Sequence, residues 1–455
     1  MNHKYIEILE TLPIKKSALS LIIPTILAML VQILYNLTDT FFIGKLNDPY
    51  QVAAVTITMP VFMMLMALSG IFANGAASFL SRSLGEKNYI QAKQISTIAI
   101  LMMAVTALLV MFIFFLKLED ILVLIGSSEN TYNYSKHYLQ IILSGSLMIM
   151  LNFGISQLFR AEGGAKIALL GMIIGTGSNI ILDPIFIFVL NQGVVGAAYA
   201  TIIGNTLSLI FYIICYNKGK SLVPPSLKYL KIDMSHIKEI LKIGLPSSLS
   251  QIMMSFGSAL SFYYAAFYDD YAVAAMGVSQ RIISIAIFTF IGIATGIQPL
   301  IGYSYGAFNY NRLKDTLKYT IKLSLQISVI FVLLFIIFSR YAIIVFINEP
   351  QVIEYGSRIL RIFTFAIPFA SLQMIFMVTL QSMGKALPSL ILSLSRQGLI
   401  YIPAIIIFNK FWHFTGIITA LPVTDVLTAV IGFIFFYREI IKFKKNYNIA
   451  QTYQE

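Results

Sequence analysis

The chain has 455 residues, of which 58% are hydrophobic and only 11% charged, with a mean hydropathy of +0.81. Soluble chains carry about 25% charged residues, so a water-soluble enzyme is excluded and an integral membrane protein is expected. The single cysteine, Cys215, rules out an internal disulfide or a cysteine-based zinc site. The net charge of +12 fits Lys and Arg gathered on a cytoplasmic face, and no nucleic-acid partner is expected.

A bilayer core about 30 Å thick needs roughly 20 apolar residues in a helix. In chain order such runs lie at 18–42, 52–80, 93–116, 134–158, 166–190, 193–216, 237–264, 272–300, 312–338, 355–381, 388–408 and 414–437. Met1 to Lys16 carries charge without an apolar core or a small-residue cleavage site, so no cleavable signal peptide is expected. With the amino terminus cytoplasmic, 23 Lys or Arg fall on the cytoplasmic side against 7 outside, which places both termini in the cytoplasm. The segment from Asn217, with its Lys residues and Pro224-Pro225, reads as a basic cytoplasmic linker. The expected organisation is therefore an amino-terminal bundle at 1–216, a linker at 217–236, a carboxy-terminal bundle at 237–440 and a cytoplasmic tail at 441–455.

The two halves repeat at a shift of 221 residues. Tyr50-Gln51-Val52-Ala53-Ala54 falls on Tyr271-Ala272-Val273-Ala274-Ala275, and Gly75, Gly85, Asn88 and Tyr89 fall on Gly296, Gly306, Asn309 and Tyr310. Gly163 meets Gly384, while Gly196 meets Gly416 with a one-residue slip. An even number of spans per repeat makes the repeats parallel, an architecture suited to alternating access. Pairs such as Gly171 with Gly175 and Gly292 with Gly296 also have the spacing of close helix packing.

Of the ionisable residues in the runs, five stand out as lying within the membrane: Asp39, Asp183, Arg281, Arg396 and Asp425. A charge at the bilayer centre costs roughly 2.5 to 3.5 kcal/mol even on the lenient insertion scale, so each is a functional candidate. Asp39 and Asp183 share a depth, ~7 to 11 Å from the outer ends of their spans. Thr201 in the sixth span reaches the same level, Asn179 stands one turn from Asp183, and Asn36 stands three residues before Asp39. Carboxylates, an amide and a hydroxyl at one depth suit either a hard cation or a carboxylate that exchanges protons, and the residues do not choose between them. Pro184 weakens the turn that carries Asp183. Arg281 and Arg396 read either as anion-binding groups or as fixed counter-ions, and Asp425 either pairs with an Arg or faces a cavity.

Gln32, Tyr35, Asn152, Gln157, Asn205, Gln251, Arg281, Gln373 and Asp425 are the candidate lining of a polar substrate cavity, although intramembrane polar groups more often bond neighbouring helices. No Gly-rich phosphate loop followed by Lys-Ser or Lys-Thr is present, and the four His lie outside the spans or near their ends without metal-binding spacing. No convergent acid, base and nucleophile set appears, so no enzymatic activity and no resident cofactor is expected.

Several stretches resemble the multidrug and toxic compound extrusion family, and within it the DinF or MepA-type bacterial branch. They are Asp39-Thr40-Phe41-Phe42-Ile43-Gly44, Ser81-Arg82-Ser83-Leu84-Gly85, Phe159-Arg160-Ala161-Glu162-Gly163, Asn179-Ile180-Ile181-Leu182-Asp183-Pro184 and Val195-Gly196-Ala197-Ala198. The resemblance covers nearly the whole chain. It implies an all-α membrane protein of twelve transmembrane helices in two six-helix bundles around a central cavity, exporting organic compounds against inward Na+ or H+. It places the coupling residues on Asp39 and Asp183, with Asn179 and Thr201 beside them. No metal is expected beyond Na+ at these positions. The expected partners are small, often cationic, organic substrates, the coupling cation and the lipid bilayer of a bacterial cytoplasmic membrane, with the protein monomeric. Family members that carry ionisable coupling residues in spans seven and ten differ from this chain, which has Ser250, Gln251 and Gln373 there. A lipid-linked oligosaccharide flippase of related architecture is the alternative; its polyanionic cargo needs several intramembrane cations, and only Arg281 and Arg396 are available.

Overall fold

The computed structural model describes residues 3–46 and 48–452, and every regular element within them is helical. The first part of the chain forms α1 (His3–Glu10), α2 (Ile14–Gly44), α3 (Pro49–Gly85), α4 (Tyr89–Leu116) and α5 (Leu118–Leu124). Next come α6 (Glu129–Ser144), α7 (Ser146–Ala161), α8 (Ala165–Pro184), a π-helical turn at Ile185–Val189 and α9 (Gly193–Asn217). The remainder forms α10 (Met234–Ala265), α11 (Asp270–Gly306), α12 (Tyr310–Ile344), α13 (Pro350–Thr364), α14 (Ile367–Ser382), α15 (Ala386–Leu394), a π-helical turn at Ser395–Leu399 and α16 (Tyr401–Thr452). Residues 1–2 of the expected amino-terminal bundle and 453–455 of the expected tail lie outside the described residues.

The repeat is realised helix by helix. A shift of 221 carries Pro49–Gly85 onto Asp270–Gly306, and the starts of α4, α6, α7 and α8 onto those of α12, α13, α14 and α15. The local signals move with it. Asp48 caps α3 by accepting from the N–H groups of Tyr50 and Gln51, and Asp269 caps α11 by accepting from Tyr271. Asn88 and Asn309 cap α4 and α12 in the same way, each preceded by a left-handed residue, Lys87 or Phe308. Gly163 and Gly384, 221 apart, supply the positive φ that ends α7 and α14.

Among the described residues, eight helical stretches are long and apolar enough to cross a bilayer, or ten with two bent pairs each taken as one crossing. One of the eight, 386–452, carries both expected spans 388–408 and 414–437. The expected seventh span falls on α10, whose middle is made more polar by Ser247, Ser248, Ser250 and Gln251. Exposed Leu101, Leu108, Leu109, Phe112 and Ile113 on α4 give that helix an apolar outer face, the surface that lipid covers in a membrane.

The structure adds detail to three of the expected segments. The fourth and tenth spans are broken helices: α6 meets α7 at 52° and α13 meets α14 at 53°. Gly145 marks the first break, seated where a Cβ would enter the Ile202 side chain, and Pro368 sits in the first turn of α14 at the second. The last two spans are separated within α16 by a single non-helical residue, His413, at φ 50° and ψ −135°. Helix α16 continues to Thr452, so the described part of the expected tail from 441 is helical.

The chain divides into two compact units that do not follow one cut. Unit one contains 1–11 and 27–248, and unit two contains 12–26 and 249–455. Helices α2 and α10 therefore each serve both units, and each carries a proline near the change, Pro24 and Pro246. Within unit one, Gly75 lies against the Ile240 carbonyl and Gly244 against the Ile71 carbonyl, so α3 and the start of α10 meet backbone to backbone. Within unit two, Gly292 and Gly296 of α11 seat the start of α2 at Ile26 and Ile22. Gly75 and Gly296 are repeat partners, so each half lends its first helical segment to the other through the same glycine.

The basic linker is anchored at its start. Glu162, 1% exposed, accepts on Oε2 from Ser221 Oγ at 2.8 Å, Leu222 N at 2.6 Å and Val223 N at 3.2 Å. Thr97 bonds the backbone of Ser226, and Lys93 stacks on Tyr229.

Candidate functional site

Unit one gathers the site because α8 and α9 approach without intervening side chains. Gly175 and Gly204 face each other, a Cβ on Gly204 falling 2.5 Å from the Gly175 carbonyl, while Gly171 is covered by Tyr212. One turn beyond Gly175, Asn179 meets Thr201; one turn further stands Asp183, completely buried at the end of α8. With both ends of its amide satisfied, Asn179 donates to Asp183 Oδ2 at 2.9 Å and accepts from Thr201 N at 3.1 Å. The opposite orientation leaves 3.4 Å contacts to Asp183 Oδ1 and Thr201 Oγ1. Pro184 and the π-helical turn at Ile185–Val189 follow immediately, a local widening that such turns often bring to functional positions.

Asp39 enters from α2, half-buried and within electrostatic range of Asp183. Tyr35, one turn earlier, lies beside Thr201 and within range of both carboxylates and of Tyr138. Tyr138 of α6 is close to both acids and packs against the apolar clusters around Ile43 and Ile142. The sequence reading omitted Tyr138, because it lies 99 residues after Asp39 and only the fold of α6 against α9 brings it in. A tyrosine in the first half of the broken fourth span was the available signal.

The remaining candidates fall into distinct places. Asn36 and Gln32 bond each other at 3.4 Å on a more exposed part of α2. Asn152 donates to Asn205 Oδ1 at 2.8 Å and accepts from Ser208 at 2.6 Å, and Asn205 donates to the Thr201 carbonyl at 2.8 Å. These amides tie α7 and α9 together directly behind the acid cluster. Gln157 is half-buried on α7. In unit two, Gln251 and Arg281 are exposed on α10 and α11, whereas Gln373 is buried on α14 with neither polar atom bonded. The alternatives for Asp425 resolve: it is fully buried, and Arg396 donates to it through Nε at 2.6 Å and Nη2 at 3.5 Å. Among the described residues no three His, Cys, Asp or Glu side chains converge as a metal centre. The unit-one set is instead two carboxylates with amide, hydroxyl and phenol groups, donors that suit a transient hard cation or a proton.

The MatE family model matches residues 24–185 and 246–407, one match for each repeat. The multidrug export protein MepA of Staphylococcus aureus (strain MSSA476) is 30% identical over 428 residues, covering 94% of each chain. MepA of Staphylococcus haemolyticus is 29% identical over the same coverage. Among solved structures, a MATE crystallised in a straight conformation and an outward-facing multidrug resistance MATE transporter both superpose with a TM-score of 0.92. Each is 27% identical and covers 97% of this chain and 99% of its own. The same fold is found at a TM-score of 0.90 in a MOP superfamily transporter from Pyrococcus furiosus described by a reversed polarity of its binding pocket. The chain is a multi-pass membrane transporter and belongs to the MATE family.

Proposed function

We propose that the protein exports amphipathic, often cationic, organic compounds across a bacterial cell membrane by H+- or Na+-coupled antiport, working as a monomer with both termini cytoplasmic. The observation that carries this reading is the cluster of Asp39, Asp183, Asn179 and Thr201 in one unit, with Tyr35 beside it. Two carboxylates within electrostatic range in a low-dielectric interior are neutralised most readily by taking up a cation or a proton. Asn179 and Thr201 hold Asp183 in place, while Asp39 comes from a different helix, α2, which carries Pro24. An ion that draws α2 toward α8 therefore favours one arrangement of unit one, and substrate that prefers the other arrangement is released by it. Only such a difference in affinity couples the two ligands. The relatives named as multidrug exporters, and a MATE crystallised in both straight and bent conformations, support this scheme.

A polyanionic lipid-linked cargo is disfavoured because Arg396 is already neutralised by Asp425, leaving Arg281 as the single uncommitted arginine of the two considered. The test is uptake of a fluorescent organic cation into proteoliposomes under separately imposed Na+ and pH gradients, for wild type and Asp183→Asn. Driven uptake by one gradient, lost in the variant with its fold retained, identifies the ion. Full driven uptake by Asp183→Asn removes the carboxylate from the mechanism.

A further inference from the structure

Unit two contains a second intramembrane charge cluster that the coupling scheme does not use. Asp425 on α16 is wholly buried and paired with Arg396, whose side chain is 12% exposed. Arg396 sits on the π-helical turn Ser395–Leu399, so both π-helical turns among the described residues adjoin a buried intramembrane acid, Asp183 in one unit and Asp425 in the other. Tyr401 follows this turn, bonds Ser261 and lies within electrostatic range of Asp425. The repeat supplies the next neighbour. Gln373 takes the place of Asn152 at a shift of 221, and Asp425 that of Asn205 at the shift of 220 that relates Gly196 to Gly416. In unit one Asn152 and Asn205 are bonded to each other, whereas in unit two the amide of Gln373 is 1% exposed with its oxygen and nitrogen both unpartnered. The repeat thus sets a buried carboxylate and an unbonded amide oxygen at two positions whose counterparts bond each other, the beginning of a cation site, and buried polar groups rarely stay unbonded without a reason.

We propose that Arg396 is a tethered cation, its guanidinium permanently holding in unit two the place that a mobile cation or proton takes in unit one, so that ion exchange is confined to the first unit. The inference rests on the coupling assigned above to Asp39 and Asp183. Nε and Nη2 of Arg396 both face Asp425, a side-on pairing that a spherical ion would have to break. Removing the guanidinium while keeping the acid opens the site: Asp425 and Gln373 then offer oxygen to H+ or Na+. Removing both charges leaves a neutral pair with nothing to neutralise.

The experiment measures ions exchanged per substrate from reversal potentials in proteoliposomes of the full chain, with ethidium as the transported probe and H+ and Na+ gradients tested separately. Wild type and the double variant Arg396→Gln/Asp425→Asn are expected to give the same ion count, and Arg396→Gln to give one ion more. A lower count in the double variant means that Asp425 itself exchanges an ion, and overturns the proposal. An unchanged count in folded Arg396→Gln also overturns it, because the vacated carboxylate is then no site. If Arg396→Gln does not fold, the charge-neutral double variant decides alone by matching wild type or falling below it. The reading of unit one is checked separately by Asp183→Asn: coupled transport surviving in that variant refutes the unit-one assignment, whatever the unit-two comparison shows.

Discussion

Replacing Glu162 by Gln tests whether the linker anchor is a neutral acid at the pH where the protein works. The side chain lies outside the membrane-spanning segments and is almost fully buried. Burial pushes its carboxyl from 4.5 up to about 8, against the pull of Ser221 and the Leu222 and Val223 N–H groups. In the unfolded chain the group titrates near 4.5, so the native state holds an extra proton between these two values. The stability this provides is complete below the unfolded value and is lost as pH rises toward about 8. A shift of this size corresponds at its limit to about 5 kcal/mol, of which about 2 kcal/mol falls between pH 6 and 8. Gln has the shape of the protonated acid and does not ionise, so Glu162→Gln should match wild type near pH 4 and pull ahead of it as pH rises above the unfolded value. Between pH 6 and 8 its lead in melting temperature should widen by on the order of 5 °C for a cooperative body the size of unit one. The assay is thermal unfolding of detergent-purified protein across this range, followed as the difference between variant and wild type. Parallel curves would refute the reasoning and show that the three donors outweigh burial and keep Glu162 ionised.

Other changes probe the site and its frame. Gly175→Val places a branched side chain between α8 and α9 and should cost about 1 to 3 kcal/mol, separating Asn179 from Thr201 and lowering transport more than expression; thermal unfolding and uptake measure the two effects. Tyr35→Phe removes the hydroxyl that stands beside Thr201 and in range of both carboxylates, and a loss of about 1 kcal/mol predicts a shift of roughly fivefold in the ion concentration for half-maximal transport. An unchanged ion dependence would place Tyr35 outside the coupling set. Asn205→Ala strands the Asn152 amide in the membrane and should destabilise unit one by about 1 to 3 kcal/mol, whereas Asn152→Ala/Asn205→Ala should recover part of that loss in the same unfolding assay.

Much of this protein was determined by its sequence alone. The apolar runs had to become helices, because inside a bilayer a chain can satisfy its backbone only by bonding itself. The repeat at 221 residues is written in the residues themselves, and the scarcity of intramembrane charge singles out Asp39, Asp183, Arg281, Arg396 and Asp425. What the tertiary structure decided was which of these meet. Asp183 and Thr201 come together through Gly175 and Gly204, whose value lies in the helix each allows to approach, and linear spacing carries no record of that partner. Tyr138 joins the acids through the packing of α6 against α9. Arg396 and Asp425 are 29 residues apart on separate helical segments, and their pairing depends on a widened turn that composition does not announce. The exchange of first helical segments between the halves has the same origin: Gly75 and Gly296 are visible as a repeated pair, but the backbones they admit, at Ile240 and Ile22, belong to the opposite half of the chain. Local patterns fix each helix because its hydrogen bonds are local, while a site made across helices depends on side chains whose neighbours are chosen only when the backbones pack.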